Sequence, residues 1–96
     1  MPAYLIGHIS VRDAARWAEY RSRVPATLAR WGAELLFRGR RAEVLSGEQP
    51  HSETVVLRFP DLASIDGWHR SAEYQALIPI REAAAEVTLA SYDGDG

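Results

Sequence analysis

Apolar residues recur at two different spacings along this chain, and the changes of spacing predict its secondary structure. The run from Ala3 to Val11 alternates and is rich in Ile, Leu and Val, which predicts a strand buried to some degree on both faces. A helix follows, because Asp13 can cap its first turn and Gly32 can end it. Pro25 lies inside this helix and predicts a kink near Arg21. The apolar positions of the helix recur every three or four residues, at Trp17, Tyr20, Val24, Leu28 and Trp31.

The second half of the chain predicts three more strands and a broken helical segment. Gly39 predicts a β-bulge in the first of these strands, since it lies between two arginines. The helical segment runs to about Ala85, and Asp61 can cap one helix and Ser71 another, so we expect a break in its middle. The strands are expected at Ala33 to Leu45, Thr54 to Phe59 and Glu86 to Tyr92, with a loop over Ser46 to Glu53.

Strand, helix, strand, strand, helix, strand is the element order of a ferredoxin-like α+β domain. We therefore expect a βαββαβ fold with a four-stranded antiparallel sheet and the helices on one face. Residues 1–96 should form a single domain, because a chain of this length buries only about two-thirds of its unfolded surface and is too short for two cores.

Alternation along the strands assigns side chains to the two faces of the sheet. An apolar set should face the helices: Leu5, Ile9, Val11, Leu35, Phe37, Val55, Leu57, Phe59, Val87 and Leu89. A mixed set should lie on the opposite face: Tyr4, Ile6, His8, Leu36, Arg38, Val56, Arg58, Ala90 and Tyr92. The mixed face is too apolar to lie open to water, so we expect a homodimer in which two sheets pair into a dimeric α+β barrel.

Composition and charge exclude several classes of function. The chain has no cysteine, which rules out disulfides and thiolate sites and favours a cytoplasmic location. Its net charge is -2, so it lacks the basic field of a nucleic-acid-binding protein. The N-terminal segment has only a short apolar run before His8, which predicts neither a signal peptide nor a membrane span. The histidines have no metal-ligating spacing and no nucleotide-binding motif occurs, so no metal or other cofactor is expected.

Several segments of the chain resemble one family. They are His8-Ile9-Ser10-Val11, Trp17-Ala18-Glu19-Tyr20-Arg21, Trp31-Gly32-Ala33-Glu34, Arg38-Gly39, Glu43-Val44-Leu45 and, most specifically, the stretch from Phe59 to Gln75. Together they resemble the domain-of-unknown-function 1330 family of small dimeric α+β barrel proteins. The resemblance implies a ferredoxin-like dimer but no reaction, since the family has no assigned activity. The wider superfamily includes cofactor-free monooxygenases, haem enzymes that process chlorite and muconolactone-type isomerases, and so selects no single chemistry.

Three residues of the predicted strands are candidates for a small-molecule site. His8 would serve as a base or a polar anchor on the mixed face. Arg38 and Arg58 share that face by alternation, and two guanidinium groups there would attract a carboxylate or an enolate. The alternative is structural: His8 would be hydrogen-bonded within the dimer, and the arginines would pair with Glu34 or with acids of the second subunit.

The break in the helical segment supplies three further candidates. Trp68, His69 and Tyr74 lie close together there, and aromatic walls with one titratable group are typical of a ligand cleft. In the alternative interpretation Trp68 and Tyr74 pack the helices onto the sheet, while His69 points to solvent.

These residues lead to two hypotheses about function. The first is a homodimer that binds a small, anionic organic molecule, with cofactor-free isomerase or monooxygenase-like chemistry in which His8 moves a proton and Arg38 stabilises negative charge. The second is a noncatalytic structural or partner-binding dimer whose polar residues only fix the register of the subunits. A cavity reached by both His8 and Arg38 would favour the first hypothesis, and a filled interior with both groups paired would favour the second.

Overall fold

In residues 1–94, which the computed structural model describes, four β-strands form one antiparallel sheet with helices packed on one face. The elements are β1 Ala3–Val11, α1 Ala14–Leu28, a 3-10 helix Ala29–Trp31, β2 Glu34–Arg40, β3 Glu53–Phe59, α2 Leu62–Arg70, α3 Ala72–Gln75, α4 Ile78–Ala84 and β4 Ala85–Asp93. The strand order is β2-β3-β1-β4, and neighbouring strands are antiparallel. The predicted ferredoxin-like α+β fold is therefore confirmed.

Aspartate side chains determine where two of the helices begin. The Asp13 carboxylate accepts the backbone N–H of Arg16 at 3.1 Å, and that of Asp61 accepts the backbone N–H of Ser64 at 2.8 Å. Each bond satisfies an N–H group that has no partner within its helix. The hydrogen bonds from Ser64 also lower the pKa of the Asp61 carboxyl. Both predicted caps are confirmed, and α1 continues through its proline as one helix.

Ser71 separates α2 from α3, as predicted. Its backbone is extended, with φ −62° and ψ 146°. Its hydroxyl donates to the carbonyl oxygen of Trp68 at 2.7 Å and accepts the backbone N–H of Tyr74 at 3.3 Å. One side chain thus ends the first helix and begins the second, which brings the two aromatic residues together.

The core lies between the sheet and the helices. Alternate residues of β1 are buried, including Leu5 and Ile9. The largest fully buried side chains are those of Phe59, Trp68 and Tyr74, whose ring centroids lie 5.9 Å apart for the first pair and 4.0 Å for the second. The sheet therefore has a helix face, which these residues cover, and an opposite face, here called the open face.

β2 changes face at a bulge that lies earlier in the strand than predicted. The pairing of β2 with β3 shifts at Leu36; beyond it, Phe37 pairs with Val56 and Arg38 with Val55. Directly paired residues of antiparallel strands share a face. Phe37 therefore lies on the open face and Arg38 on the helix face, so the prediction for both residues was wrong.

Gly39, the predicted bulge residue, has a different role. The ring of Phe37 lies directly over it on the open face, and a Cβ at position 39 would collide with the ring. Glycine is therefore needed at this position because an aromatic side chain two residues away occupies the space, and the strand stays regular there.

β2 is also shorter than predicted. The predicted strand extended to Leu45, but sheet pairing ends before Arg41. The Arg41 guanidinium donates to the backbone carbonyls of Gln49 at 2.7 Å and His51 at 2.8 Å. These bonds close residues 41–52 into a loop, because they hold its two ends together.

Candidate functional site

A cavity of about 260 Å³ lies between α1 and the helix face of the sheet. A cavity of about 150 Å³ is enough to hold benzene, so this one suits an organic molecule of one or two rings. The walls are mainly apolar and aromatic side chains from α1, α2 and all four strands: Leu5, Ile9, Trp17, Val24, Leu28, Leu35, Val55, Leu57, Trp68, Val87 and Leu89.

The floor of the cavity depends on a glycine in the central strand β1. Gly7 pairs with Val55 on one side and with Leu89 on the other. A Cβ at Gly7 would lie 3.0 Å from side-chain atoms of both residues. Glycine therefore allows these two cavity-lining side chains to approach each other across β1.

Two arginines lie on the exposed part of the cavity wall. Arg21 comes from α1 and Arg38 from the edge strand β2, and both line the cavity. Partial burial lowers the pKa of the Arg38 guanidinium, and the nearby positive charge of Arg21 lowers it further, whereas the charge of Glu53 acts in the opposite direction. The apolar cavity therefore has a cationic mouth.

The indole of Trp68 forms an inner wall whose polar atom is already hydrogen-bonded. Trp68 Nε1 donates to the hydroxyl oxygen of Thr27 at 3.0 Å, and that hydroxyl donates to the carbonyl oxygen of Val24 at 2.7 Å. Since its N–H is satisfied by α1, the indole contributes mainly apolar surface to the cavity.

A buried pair of tyrosines connects α1 to α3 and α4. The hydroxyl oxygens of Tyr20 and Tyr74 are 2.8 Å apart, and the Arg81 guanidinium donates to the Tyr74 hydroxyl at 2.9 Å. Burial raises the pKa of the Tyr20 phenol well above its ordinary value, and the Tyr74 hydroxyl raises it further. Tyr20 lines the cavity and is therefore a neutral group at physiological pH.

His8 lies on the open face and is separated from Arg38 by the sheet. Its Nδ1 is 3.1 Å from the hydroxyl oxygen of Thr54, and its ring is nearly parallel to that of His51, with centroids 6.4 Å apart. The hydroxyl oxygen of Ser10 lies 2.9 Å from Nδ1 of His51. The expectation that His8 and Arg38 act together in one site was wrong, because the bulge in β2 places them on opposite faces.

Arg58 lies on the open face with His8 and carries an ion pair. Its guanidinium is 3.5 Å from the carboxylate of Glu34 on the neighbouring strand, and both side chains are about half exposed. This pairing is the structural alternative that the sequence offered for Arg58. It places Arg58 outside the cavity.

The three aromatic candidates also divide between different environments. Trp68 and Tyr74 are 2% and 0% exposed and belong to the core. His69 is exposed and lies beside a second, more open groove of about 380 Å³, which Asp66 and Ser91 also line. Of the six candidates, only Arg38 and Trp68 line the cavity beneath α1.

Sequence reasoning missed Tyr20 and Arg21 as site residues. Both were visible as part of α1, where Tyr20 was assigned to the apolar stripe. Arg21 lies four residues after Trp17, which places the two side chains on the same side of a helix. A cation at the edge of an apolar stripe is the signal that would have identified this position.

The lining residues limit the chemistry that the cavity can perform. Among those the structure describes, only Tyr20, Arg21 and Arg38 are titratable. Within residues 1–94, no three side chains of His, Asp or Glu form a metal-binding cluster, and no helix is long and apolar enough to cross a membrane. The described lining of the cavity thus combines apolar surface with two guanidinium groups and contains neither a carboxylate nor an imidazole.

The sequence matches a family model over almost its full length. The model describes the domain of unknown function DUF1330, and it covers residues 2–94. This chain belongs to the DUF1330 family. No curated protein matches the DUF1330 chain described here.

Solved structures share the fold of this DUF1330 protein at low sequence identity. A protein of unknown function from Rhodopseudomonas palustris is 18% identical with a TM-score of 0.83, over 99% of this chain and 83% of that one. A dimeric ferredoxin-like protein of unknown function from Jannaschia sp. CCS1 is 11% identical with a TM-score of 0.78, over 98% of this chain and 100% of that one. SnoaB, a cofactor-independent oxygenase from Streptomyces nogalater, is 10% identical with a TM-score of 0.71, over 99% of this chain and 94% of that one.

Proposed function

We propose that this DUF1330 protein is a homodimer that binds a small organic molecule in the cavity beneath α1. The observation that carries the binding proposal is the cavity itself, because its volume and its apolar, aromatic walls are those of a small-molecule site. The lack of cysteine supports a cytoplasmic location for this activity.

The homodimer is proposed because one broad face of a flat molecule is uncovered. The chain measures 32 × 31 × 16 Å, and the helices cover only one of the two broad faces. Phe37 and Tyr92 lie on the open face and are 55% and 49% exposed, with Ile6 and Val56 half-buried beside them. A second copy offers the same apolar surface and would exclude water from both. The dimeric ferredoxin-like protein from Jannaschia supports this arrangement.

Binding is supported better than catalysis by the groups in the cavity. Proton transfer by His8 was the basis for expecting isomerase or monooxygenase-like chemistry, and His8 lies on the other face of the sheet. SnoaB, which shares the fold, is described as a cofactor-independent oxygenase, so the fold itself is compatible with such chemistry. The residues around this cavity support only the holding of a ligand.

Calorimetric titration and thermal denaturation with 1-naphthol, a neutral two-ring probe, test the binding proposal. At a hundredfold excess over Kd, bound probe adds about 2.7 kcal/mol of stability. For a domain of this size that raises Tm by roughly 10 °C or more.

The matched control is Val87→Phe, which places a larger side chain at a cavity-lining position of β4. We expect the variant to fold and to bind 1-naphthol much more weakly, because the added ring occupies part of the space that the probe needs. Binding that survives this substitution would contradict the assignment of the site, and absence of binding to the wild type would contradict the proposal.

A further inference from the structure

Two arginines, Arg21 and Arg38, line the cavity, and neither forms an ion pair with a carboxylate of residues 1–94. Among the ion pairs of residues 1–94, none involves Arg21 or Arg38, although five other arginines each contact a carboxylate. Partial burial and the charge of Arg21 lower the pKa of Arg38, whereas the charge of Glu53 acts in the opposite direction. Two guanidinium groups at one opening make it a place that favours an anion.

The position of Arg38 follows from the bulge in β2. If Leu36 took a regular place in the pairing with β3, alternation would put Phe37 on the helix face and Arg38 on the open face. The bulge turns an apolar side chain out of the cavity mouth and a guanidinium into it. The edge strand β2 and the helix α1 then supply one cation each to the lining of the cavity.

The interior behind the arginines is apolar and aromatic. Trp17 and Trp68 contribute ring surfaces, and Leu57 and Val55 rise from the sheet. A molecule that fits both the apolar interior and the cationic mouth needs an apolar ring system with one anionic group at its end. A carboxylate matches the planar fork of a guanidinium through two parallel hydrogen bonds, and a single carboxylate can accept from two arginines.

We propose that the cavity selects aromatic monocarboxylates, with the ring system inside and the carboxylate held between Arg38 and Arg21. This inference rests on the proposed function, because it names the class of ligand for the same site. It assigns Arg38 and Arg21 as specificity-determining residues.

The experiment compares two probes of the same shape, 1-naphthoate and its neutral analogue 1-naphthamide, by calorimetric titration of the wild-type protein. We expect naphthoate to bind about tenfold or more tightly than the amide, because charge-assisted hydrogen bonds are stronger than neutral ones. The preference should weaken in 1 M salt, since the mouth is exposed to solvent.

Three variants locate the preference. Arg38→Gln should reduce the naphthoate-to-amide ratio towards one, and Arg21→Gln should reduce it independently, which keeps the test valid if either variant fails to fold. Arg23→Gln is the matched control: Arg23 lies on the same helix, outside the cavity, in an exposed ion pair with Glu19. Its ratio should equal that of the wild type.

The outcomes separate this inference from the proposed function. Equal affinities of the wild type for both probes would overturn the carboxylate selectivity and leave the binding cavity intact. A preference that survives both Arg38→Gln and Arg21→Gln would overturn the assignment of the arginines. Failure of both probes and of 1-naphthol to bind would overturn the proposed function together with this inference.

Discussion

At the level of single residues, the hydroxyl of Thr27 stabilises the buried Trp68 in the cavity wall by accepting the hydrogen bond from its indole N–H. Thr27 is 9% exposed and accepts the indole N–H of Trp68 at 3.0 Å. A buried donor without an acceptor loses its hydration without compensation. The contact therefore stabilises both the core and the shape of the cavity.

Thr27→Val should lower the free energy of unfolding by about 1–3 kcal/mol, because it leaves the Trp68 N–H unpaired at nearly constant volume. Urea denaturation measures the change. Ser46→Ala, at an exposed position of the loop 41–52, is the control and should lie within about 0.5 kcal/mol of the wild type. Equal effects of the two substitutions would contradict the role assigned to Thr27.

One residue also explains where sequence reasoning about the site failed. Alternation identified Arg38 as a site residue but placed it on the wrong face, because Leu36 adds one position to β2. The run Leu35-Leu36-Phe37 is apolar throughout, so no polar residue marks the position where the alternation between the two faces shifts by one residue. Gly39 was a plausible bulge position, but glycine is needed there because the ring of Phe37 lies over it. The position of that ring depends on a side-chain conformation that the local sequence does not encode.

At the level of helices and strands, local chemistry predicted the helix boundaries well. The caps at Asp13, Asp61 and Ser71 depend on side chains that bond to backbone groups three residues ahead, so the sequence itself contains both partners. The end of β2 depends instead on Arg41 reaching carbonyls eight and ten residues away. Such contacts need the folded loop, and the sequence pattern does not reveal them.

Ser71→Ala should lower the free energy of unfolding by about 1 kcal/mol, with an upper bound near 2 kcal/mol, because α3 loses its cap. Chemical denaturation measures the loss. Ser22→Ala, at an exposed position of α1, is the control and should leave the free energy of unfolding unchanged. The Ser22 hydroxyl bonds only to the carbonyl of Glu19 in its own helix. A neutral Ser71→Ala would show that packing alone maintains the break between α2 and α3.

The tyrosine pair that joins α1 to α3 predicts loss of stability in alkali. The pKa of Tyr20 is raised in the folded state, so its contribution is complete below the ordinary value of 10.0 and declines as pH rises above it. The free energy of unfolding should therefore fall as pH rises above about 10, the ordinary tyrosine pKa. In Tyr20→Phe this fall should be smaller than in the wild type. Identical pH profiles for the two proteins would contradict the prediction.

At the level of the whole molecule, the two faces of the sheet have separate roles in this account. The helix face encloses the cavity, and the open face is expected to meet a second copy. The composition of the open face was largely predictable, since Tyr4, Ile6, Val56 and Tyr92 follow simple alternation. Whether a second copy covers these residues depends on contacts outside the single chain.

Val56→Lys tests the independence of the two faces. Val56 pairs with Ile6 on the central strands of the open face, so a lysine there would bury a charge in the dimer and should produce monomers. The variant should still bind 1-naphthol, because the cavity lies on the other side of the sheet. Leu62→Lys is the control, since Leu62 is an exposed residue at the start of α2 and should leave the dimer intact. Loss of probe binding together with the dimer would contradict separate roles for the faces.

Sedimentation equilibrium of the wild-type protein at micromolar concentration tests the central claim most directly. Pairing through the open face predicts twice the 10.7 kDa mass of one chain, with and without a ligand in the cavity. A stable monomer of 10.7 kDa that leaves Phe37 and Tyr92 in water would contradict the two-faced account.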